Sequence, residues 1–483
     1  MHVRPSNYGR RKLASAPPPE ISAAYSGAAQ EQGDHPGLRR LIFIYFWLLI
    51  LEGAVRKWIL PGLANPLLII RDPVVLLIYL GAISRGIFPM NGFVITCVVL
   101  AVGNSFAALF VGQDNILVTL YGLRTSFLHI PLIFIMPAVL TRADVEKIGS
   151  WILITAIPMA LLVLMQFRAS PNAWINNGVG ASEGAQLNVG FGKIRPPGTF
   201  SFTNGLALYL GLLAAFLLSF QLKKWQLSHR IALAAILSLG AMTAVSGSRG
   251  VLVSVVIIAA AMVYACLRNS AFIGAGIRTA VLIVVVCSAL LLRHEFRLGV
   301  EIHSTRIETG GGVEKGLIER TTSGFLEPFA ILSDVPILGQ GIGLGTTAGA
   351  GLIYGGERRF LIAEGEWLRV IRESGPVLGF AYLAMRVGIV LLLIVGANRA
   401  IADDNPLPVL LCAAISPVVL SGQFGVPTIL GFAVFGAGLC LAAGNAVQGA
   451  NVPSLFRIGA ESVTNPLRSV RGRSIYAEKL HGR

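Results

Sequence analysis

The sequence predicts an all-α polytopic membrane bundle of about 12 transmembrane helices with one large periplasmic loop. Of the 483 residues, 54% are hydrophobic and 13% are charged, whereas soluble domains carry about 25% charged residues. The apolar runs are roughly 17–24 residues long, which is the length that a helix needs to cross the hydrocarbon layer of a bilayer. A single long polar segment, 293–374, interrupts this pattern.

Apolar runs and their polar flanks predict twelve spans. They lie near 41–60, 66–83, 92–110, 117–139, 149–167, 199–220, 231–246, 250–267, 278–292, 375–397, 407–421 and 425–445. The chain then divides into a basic tail 1–40, membrane spans within 41–292, the polar loop 293–374, further spans within 375–446, and a basic tail 447–483. The first tail is polar and contains the run APPPE, so we expect it to be disordered and not a secretory signal.

The distribution of charge predicts the orientation of the chain in the membrane. The net charge is +15, and it is concentrated in the two tails and in the short loops on one side of the predicted bundle. The tail up to Arg40 has six Lys/Arg against three acids, and the tail after Asn445 has six against two. Because Lys and Arg accumulate in cytoplasmic segments, both termini are predicted to be cytoplasmic. Contact with anionic lipid explains the charge better than binding of nucleic acid.

The sequence predicts no metal site and no cofactor. The five cysteines all lie in apolar runs, and their spacing matches no metal site. The glycine run Gly339–Gly345 resembles a dinucleotide-binding loop only in composition, because it follows no clear strand and opens no helix. We interpret it as a flexible turn in the polar loop.

Two arginines are predicted to lie at the outer membrane interface beside small or rigid residues. Arg195 begins the segment RPPGTF at a junction between loop and span, and Arg249 lies in the turn SGSRG between two spans. A guanidinium is planar and always charged, so it suits a diphosphate ligand. The alternatives are a snorkelling arginine and an interfacial anchor.

The end of the polar loop predicts an amphipathic helix that places one acid, Glu364, on its apolar face. The other residues of that face are Phe360, Trp367, Leu368 and Ile371. The opposite face carries Glu366, Arg369 and Glu373, which we expect to lie in solvent with the last two paired. A carboxylate held against apolar surface binds protons more readily, which favours a general-base role for Glu364. The alternative is a simple ion pair between Glu364 and Arg358 or Arg359.

Charges inside predicted spans are candidates for function because their burial in the membrane is costly. Arg56, Arg71 and Arg124 all lie toward the outer ends of their spans, where a groove for an isoprenoid diphosphate would explain them together. The alternative is structural pairing, and Glu52 is four residues from Arg56 as an internal pair requires. Arg320 in the polar loop is a further candidate for binding the diphosphate or the glycan.

The order of these motifs resembles the O-antigen ligase and polysaccharide polymerase (WaaL/Wzy) superfamily over roughly residues 40–445. The resemblance is carried by R-x-x-G-T-F at Arg195–Phe200, S-x-S-R-G at Ser246–Gly250 and P-x-x-G-x-G-x-G at Pro336–Gly343. A short helix with the family pattern A-H-N-x-Y-L follows, here Ala363–Leu368. This chain departs from the pattern, with Glu364 where the family has His and Gly365 where it has Asn.

The resemblance implies metal-independent glycosyl transfer at the periplasmic face of the bacterial inner membrane. The donor would be a glycan on undecaprenyl diphosphate. The acceptor would be a second lipid-linked glycan, as in a polymerase, or a lipid A-core sugar, as in a ligase. Glu364 would replace the family histidine as the base, while the arginines would hold the diphosphate. A transporter or flippase of lipid-linked sugar and a non-catalytic envelope scaffold remain alternatives, although the absence of an internal repeat disfavours a transporter.

Overall fold

The computed structural model describes residues 35–112, 115–182, 186–190, 192–309, 320–353, 363 and 365–444. Almost all of the described residues that belong to a helix or a strand are helical, which confirms the predicted all-α fold class. In chain order the helices are α1 Pro36–Ala54, α2 Arg71–Ser84, α3 Gly92–Phe110, α4 Ile116–Leu123, α5 Leu132–Val139, α6 Arg142–Arg168, α7 Thr203–Leu222, α8 His229–Val245, α9 Arg249–Arg268, α10 Ile273–Leu291, α11 His294–Thr309, α12 Arg320–Ala330, α13 Thr347–Ile353, α14 Glu366–Ala402, α15 Leu407–Ser421 and α16 Pro427–Gly444. A two-stranded antiparallel hairpin, β1 Asn188–Gly190 and β2 Lys193–Ile194, departs from the all-α prediction.

Nine helices of the described chain are long and apolar enough to cross a membrane, and α8 and α15 are shorter apolar helices. The number of twelve spans and the side on which the polar segment lies stay predictions. The first helix begins at Pro36 and not at the predicted residue 41. The tails 1–34 and 445–483 lie outside the described residues.

The centre of the bundle is formed by α7 and α16. Their apolar stretches are 83% and 78% buried, respectively, whereas those of α9 and of Ser270–Leu291 are each 22% buried. Helix α16 packs against α5, α7, α14 and α15. Residues 192–202 therefore lead directly into this core, because α7 begins at Thr203.

Side-chain caps determine where several helices begin. Thr141 and Asp144 form a reciprocal capping box at the start of α6, and the Asn91 side chain accepts a hydrogen bond from Val94 at the start of α3. At the start of α4, the Asn115 side chain accepts from Leu117 and Val118. Such caps satisfy backbone N–H groups that would otherwise lack partners.

The polar segment is partly helical, as predicted, and contains α11, α12 and α13. Its last helix is continuous with the next apolar helix in α14, but the backbone leaves the helical conformation at Gly375, where φ is 73° and ψ is 173°. Pro376 follows directly. This corner coincides with the predicted junction between the loop helix and the tenth span.

Candidate functional site

Two π-helical turns carry three of the cations of the candidate site, Arg56, Lys57 and Arg124. The first, Val55–Ile59, follows α1 and contains Arg56 and Lys57. The second, Arg124–Leu128, follows α4 and begins with Arg124. Single π-helical turns inside longer helices are often found at functional sites because they redirect side chains. The sequence carries no periodic signal for these turns, so their role in positioning the cations emerges only from the structure.

The three arginines predicted within the first, second and fourth spans form ion pairs with two carboxylates. Glu52 accepts from Arg56 at 3.2 Å and from Arg71 at 3.0 Å. Asp72 accepts from Arg124 through both carboxylate oxygens. The predicted Glu52–Arg56 pair is therefore confirmed. Binding of substrate by these arginines stays a prediction.

Tyr45 and His129 join the two carboxylate groups into one buried network. The His129 Nε2 atom lies 3.1 Å from Oδ1 of Asp72, and its Nδ1 atom lies 3.1 Å from the hydroxyl of Tyr45. The Arg71 guanidinium contacts the same hydroxyl at 3.4 Å. The network contains one carboxylate fewer than it has arginines. Through these hydrogen bonds the network connects the end of α1 to the π turn that follows α4.

The positive charges at this end of the bundle outnumber the negative charges. Lys57 is 1% exposed and donates to the backbone oxygen of Gly198 at 2.7 Å, a neutral acceptor. Arg56, Arg71 and Arg124 exceed the two carboxylates of the network by one positive charge. Uncompensated charge in a poorly solvated site is costly. Such a site favours binding of an anion.

The segment that begins with Arg195 packs on the first π turn. Gln166 accepts from the Gly198 backbone N–H at 2.8 Å, and its side chain donates to the Gly198 oxygen at 3.2 Å. Arg56 also donates to Ser201 at 3.3 Å. The RPPGTF segment is therefore held by hydrogen bonds to α6 and to the π turn.

Close packing of this segment requires a glycine in α1. A Cβ atom at Gly53 would lie 2.5 Å from the backbone oxygen of Thr199 and 2.5 Å from the backbone nitrogen of Ser201. We expect Gly53→Ala to lower the free energy of unfolding by about 1–3 kcal/mol, because overpacking forces backbone shifts. Thermal unfolding of the purified protein in detergent measures this effect.

Gly62→Ala is the matched control for that substitution. No atom lies within 4 Å of a Cβ built at Gly62, so this variant should unfold at the wild-type temperature. Equal unfolding temperatures for the two alanine variants would show that the segment does not pack on α1 as described.

Arg195 and the SGSRG turn lie next to each other. The turn is found as predicted, between the end of α8 at Val245 and the start of α9 at Arg249. Gly247 has a φ of 57°, and a Cβ atom there would lie 3.6 Å from Cγ of Arg195 and 2.7 Å from Val189. The two predicted outer-face motifs, which are far apart in the sequence, thus share one surface.

Arg249 is half-buried at the N-terminus of α9. Among the described residues, no acid or hydrogen-bond acceptor pairs with its guanidinium. The N-terminus of a helix carries partial positive charge, so a cation there is unfavourable unless an anion binds nearby. Arg249 and Arg195 therefore form the part of the surface best suited to a diphosphate.

Helix α11 covers the end of α8 beside this turn and contributes a buried histidine that sequence reasoning missed. A Cβ atom at Gly299 would lie 2.4 Å from the backbone oxygen of Ala244, and Nε2 of His303 lies 3.2 Å from the oxygen of Thr243. A carbonyl only accepts hydrogen bonds, so Nε2 of His303 carries a proton and donates it to this oxygen. The helical spacing of Phe296, Gly299 and His303 in the polar segment was the available signal.

Helix α14 departs from the prediction at its polar face, which is buried and not in solvent. Glu366 and Arg369 are 4% exposed and Glu373 is 2% exposed. The predicted Arg369–Glu373 pair is present at 2.5 Å. Arg369 also binds Glu366, which in turn binds Arg386 at 2.6 Å.

The corner at Gly375 explains this burial. In a straight helix the Cα atoms of Glu366 and Arg386 would be about 30 Å apart at 1.5 Å per residue. The corner instead folds the two arms of α14 toward each other, so their side chains form an ion pair. Arg386 further donates to the backbone oxygens of Val419 and Gly422 at 2.7 and 2.8 Å. The cluster is electrically balanced and its arginines are bound on several sides, which indicates a structural role.

The glycine run of the polar segment is packed against this corner. Gln340 and Gly341 donate backbone hydrogen bonds to Arg372 and Glu373, and the Gly345 N–H donates to the Glu373 carboxylate at 2.6 Å. A Cβ atom at Gly339 would lie 2.3 Å from the Glu373 oxygen. The run is therefore a closely packed turn, which corrects its interpretation as a flexible one.

Two predicted site residues are not placed. Glu364, the predicted base, lies outside the described residues, as do Phe360, Arg358 and Arg359. Arg320 is the first residue of α12, but its side chain is not among those described. Trp367 does lie against the bundle, where its indole donates to the Leu420 oxygen at 2.9 Å.

An exposed ion pair links α11 to α6. Arg168 binds Glu295 at 2.7 Å. The backbone N–H of Glu295 and the Arg168 guanidinium hold the pKa of the Glu295 carboxyl below its usual value. Over the described ranges, no three His, Cys, Asp or Glu side chains are grouped so that they could hold a metal ion.

Comparisons of this chain with protein-family models, with curated proteins and with solved structures found no match.

Proposed function

We propose that this protein transfers a glycan from an undecaprenyl-diphosphate donor to a second lipid-linked glycan at the periplasmic face of the bacterial inner membrane. The observation that carries the proposal is Arg249, an arginine at a helix N-terminus without an acidic partner among the described residues, next to Arg195. The excess positive charge of the adjoining network supports it further. A diphosphate supplies the anionic partner that Arg249 lacks among the described residues.

In the proposed reaction, an acceptor hydroxyl attacks the anomeric carbon of the donor glycan. A new glycosidic bond forms, the bond from the anomeric carbon to the phosphate oxygen breaks, and the diphosphate leaves with the electron pair. Arg195 and Arg249 stabilise the negative charge that develops on that oxygen. A base removes the proton of the hydroxyl.

Two residues are candidates for this base. Glu364 stays the prediction from sequence. His303 is the second candidate, because imidazole is a common general base and because α11 lies against the end of α8, beside the SGSRG turn. Glu366 and Glu373 are excluded from this role by their ion pairs with buried arginines.

Reconstitution with a defined donor tests the proposal. Purified protein in liposomes receives a polyprenyl-diphosphate oligosaccharide alone or together with lipid A-core. Longer lipid-linked glycans from donor alone support the polymerase, and product on lipid A-core supports a ligase. Transfer of intact donor across the bilayer without a new bond would replace the proposal with a flippase. The absence of all three would overturn it.

Substitution of the candidate bases is expected to separate them. Glu364→Gln or His303→Gln should lower the transfer rate by about 10²–10⁴-fold, the range that general-base catalysis contributes. Gln at 303 retains a donor for the Thr243 oxygen but cannot take up a proton. Measurement of initial transfer rates decides between the two, and a full rate in both variants would contradict base catalysis by either residue. Glu146→Gln, a change in a half-buried pair of α6 with Arg142 at 3.0 Å, serves as the control.

A further inference from the structure

The second half of helix α12 exposes apolar and polar side chains on different sides. Leu326 and Phe329 are three residues apart, so they lie on the same side of the helix, and they are 65% and 54% exposed. Glu327 is also exposed, but it is rotated by about 100° from Leu326, and its Oε2 atom lies 4.0 Å from a Cβ atom built at Gly365. This division of apolar and polar side chains is typical of helices that lie in a membrane interface.

Two aromatic contacts hold α12 against α14, one on each side of the corner at Gly375. Before the corner, the rings of Phe325 and Trp367 meet edge to face with their centroids 4.8 Å apart. After the corner, the ring of Phe329 stacks on that of Phe380 with a centroid distance of 5.2 Å. Phe380 is five residues beyond Gly375, which is about 7.5 Å along the second arm of α14 at the rise of a helix. Helix α12 therefore lies beside the first turns of this apolar arm.

The exposed apolar surface continues across the corner onto the arm itself. Ile337 lies directly at the corner, because a Cβ atom at Gly375 would be 2.2 Å from its backbone oxygen. Its side chain is 71% exposed, and that of Val377, two residues after the corner, is 61% exposed. Leu391 is exposed farther along the same helix, which is long and apolar enough to cross a membrane. We call the exposed side chains around the corner, Leu326, Phe329, Ile337 and Val377, the corner patch.

The position and the charge of the corner patch indicate its partner. The patch is continuous with the exposed apolar surface of the α14 arm, so a bilayer that surrounds this arm also reaches α12. Interfacial helices bury their apolar face about 5–10 Å into the boundary between headgroups and acyl chains, which agrees with the position of Phe380 on the arm. The charged side chains described on and directly after α12, Glu327 and Asp334, are exposed and acidic. They offer no attraction to anionic headgroups, so apolar contact with acyl chains is the favourable interaction.

We infer that α12 is an interfacial helix whose corner patch inserts among the acyl chains of the phospholipid bilayer beside the second arm of α14. The inference does not depend on the proposed function. It gives the polar segment a lipid-binding surface and explains why four large apolar side chains stay exposed around one corner. It also means that the glycine run and the Glu366–Arg386 ion pair, which pack at this corner, are held at the membrane surface.

Photocross-linking from single positions tests the inference. The full chain with a photoreactive phenylalanine at position 326 is reconstituted into liposomes of radiolabelled phosphatidylcholine and irradiated. We expect lipid labelling about 10-fold above that from position 327, the matched control, which is one residue away on the polar side of the same helix. Position 391 on the exposed side of α14 is the positive control for contact with lipid. Equal labelling from 326 and 327 would overturn the inference, and so would cross-linking of 326 to a second copy of the chain in place of lipid.

A second pair of positions and a change of lipid make the test independent of any one variant. Ile337 belongs to the patch, whereas Asp334 is an exposed acid three residues before it, so position 337 should label about 10-fold more strongly than position 334. All of the substituted side chains are exposed, and size-exclusion chromatography before irradiation verifies that each variant is folded. Replacement of part of the phosphatidylcholine by phosphatidylglycerol should leave the labelling from 326 and 337 unchanged within about 2-fold. Labelling that requires phosphatidylglycerol would overturn insertion by apolar contact.

Discussion

Substitution of Arg249 by Gln is expected to lower the rate of glycan transfer by about 10²–10³-fold, or roughly 2.7–4 kcal/mol in the activation free energy. Arg249 lies at the start of α9 and has no acidic partner among the described residues, so its removal breaks no ion pair. The loss should therefore appear in the rate constant for transfer and not in the stability of the fold. Initial rates in liposomes at saturating donor measure it.

Arg268→Gln is the control for this prediction because Arg268 is exposed at the opposite end of the same helix. It removes the same charge from α9 without approaching Arg195. A transfer rate for Arg249→Gln that matches the rate of Arg268→Gln would mean that the SGSRG turn does not hold the leaving group. A shared loss in both variants, accompanied by lower unfolding temperatures, would point to the folding of α9 instead.

Substitution of Arg386 by Met is expected to lower the free energy of unfolding by about 3–5 kcal/mol, because it leaves a buried carboxylate without one of its partners. Arg386 binds Glu366 at 2.6 Å and is 0% exposed, and its guanidinium lies 3.8 Å from the ring centroid of Phe424. Thermal unfolding followed by size-exclusion chromatography in detergent measures the change. Arg399→Gln is the matched control, since Arg399 is exposed on the same helix.

A double substitution separates the cost of an unpaired charge from that of lost packing. In Arg386→Met with Glu366→Gln, the remaining Arg369 and Glu373 form a balanced pair. We expect this variant to recover part of the stability lost by Arg386→Met alone. If the double variant is as unstable as the single one, the Glu366–Arg386 ion pair does not stabilise the corner at Gly375.

The sequence predicted those parts of the candidate site that depend on residues close together in the chain. The SGSRG turn lies between two apolar runs, so the approximate depth of Arg249 followed from the lengths of its neighbours. The helical spacing of four residues likewise predicted the Glu52–Arg56 and Arg369–Glu373 pairs, because such residues are neighbours on any helix. The junction at Gly375 followed from a change in polarity along the chain.

The prediction was wrong for the polar face of α14 for a physical reason. Periodicity identifies residues that share one face of a helix, and Glu366, Arg369 and Glu373 do share one. It carries no information about what that face contacts. The face meets Arg386 and the glycine run because the chain turns back at Gly375, which depends on packing between segments distant in sequence.

By itself the sequence determined that this is a helical chain with membrane-spanning segments, where the apolar runs lie, and which arginines stand near their ends. These properties follow from hydrophobicity and helix geometry, which act along the chain. The tertiary structure alone decided which charges are neutralised. Arg71 and Arg124 are paired through space with acids of other segments, whereas Arg249 has no acidic partner among the described residues. Pairing depends on distances between residues far apart in the sequence, and those distances exist only in the folded bundle.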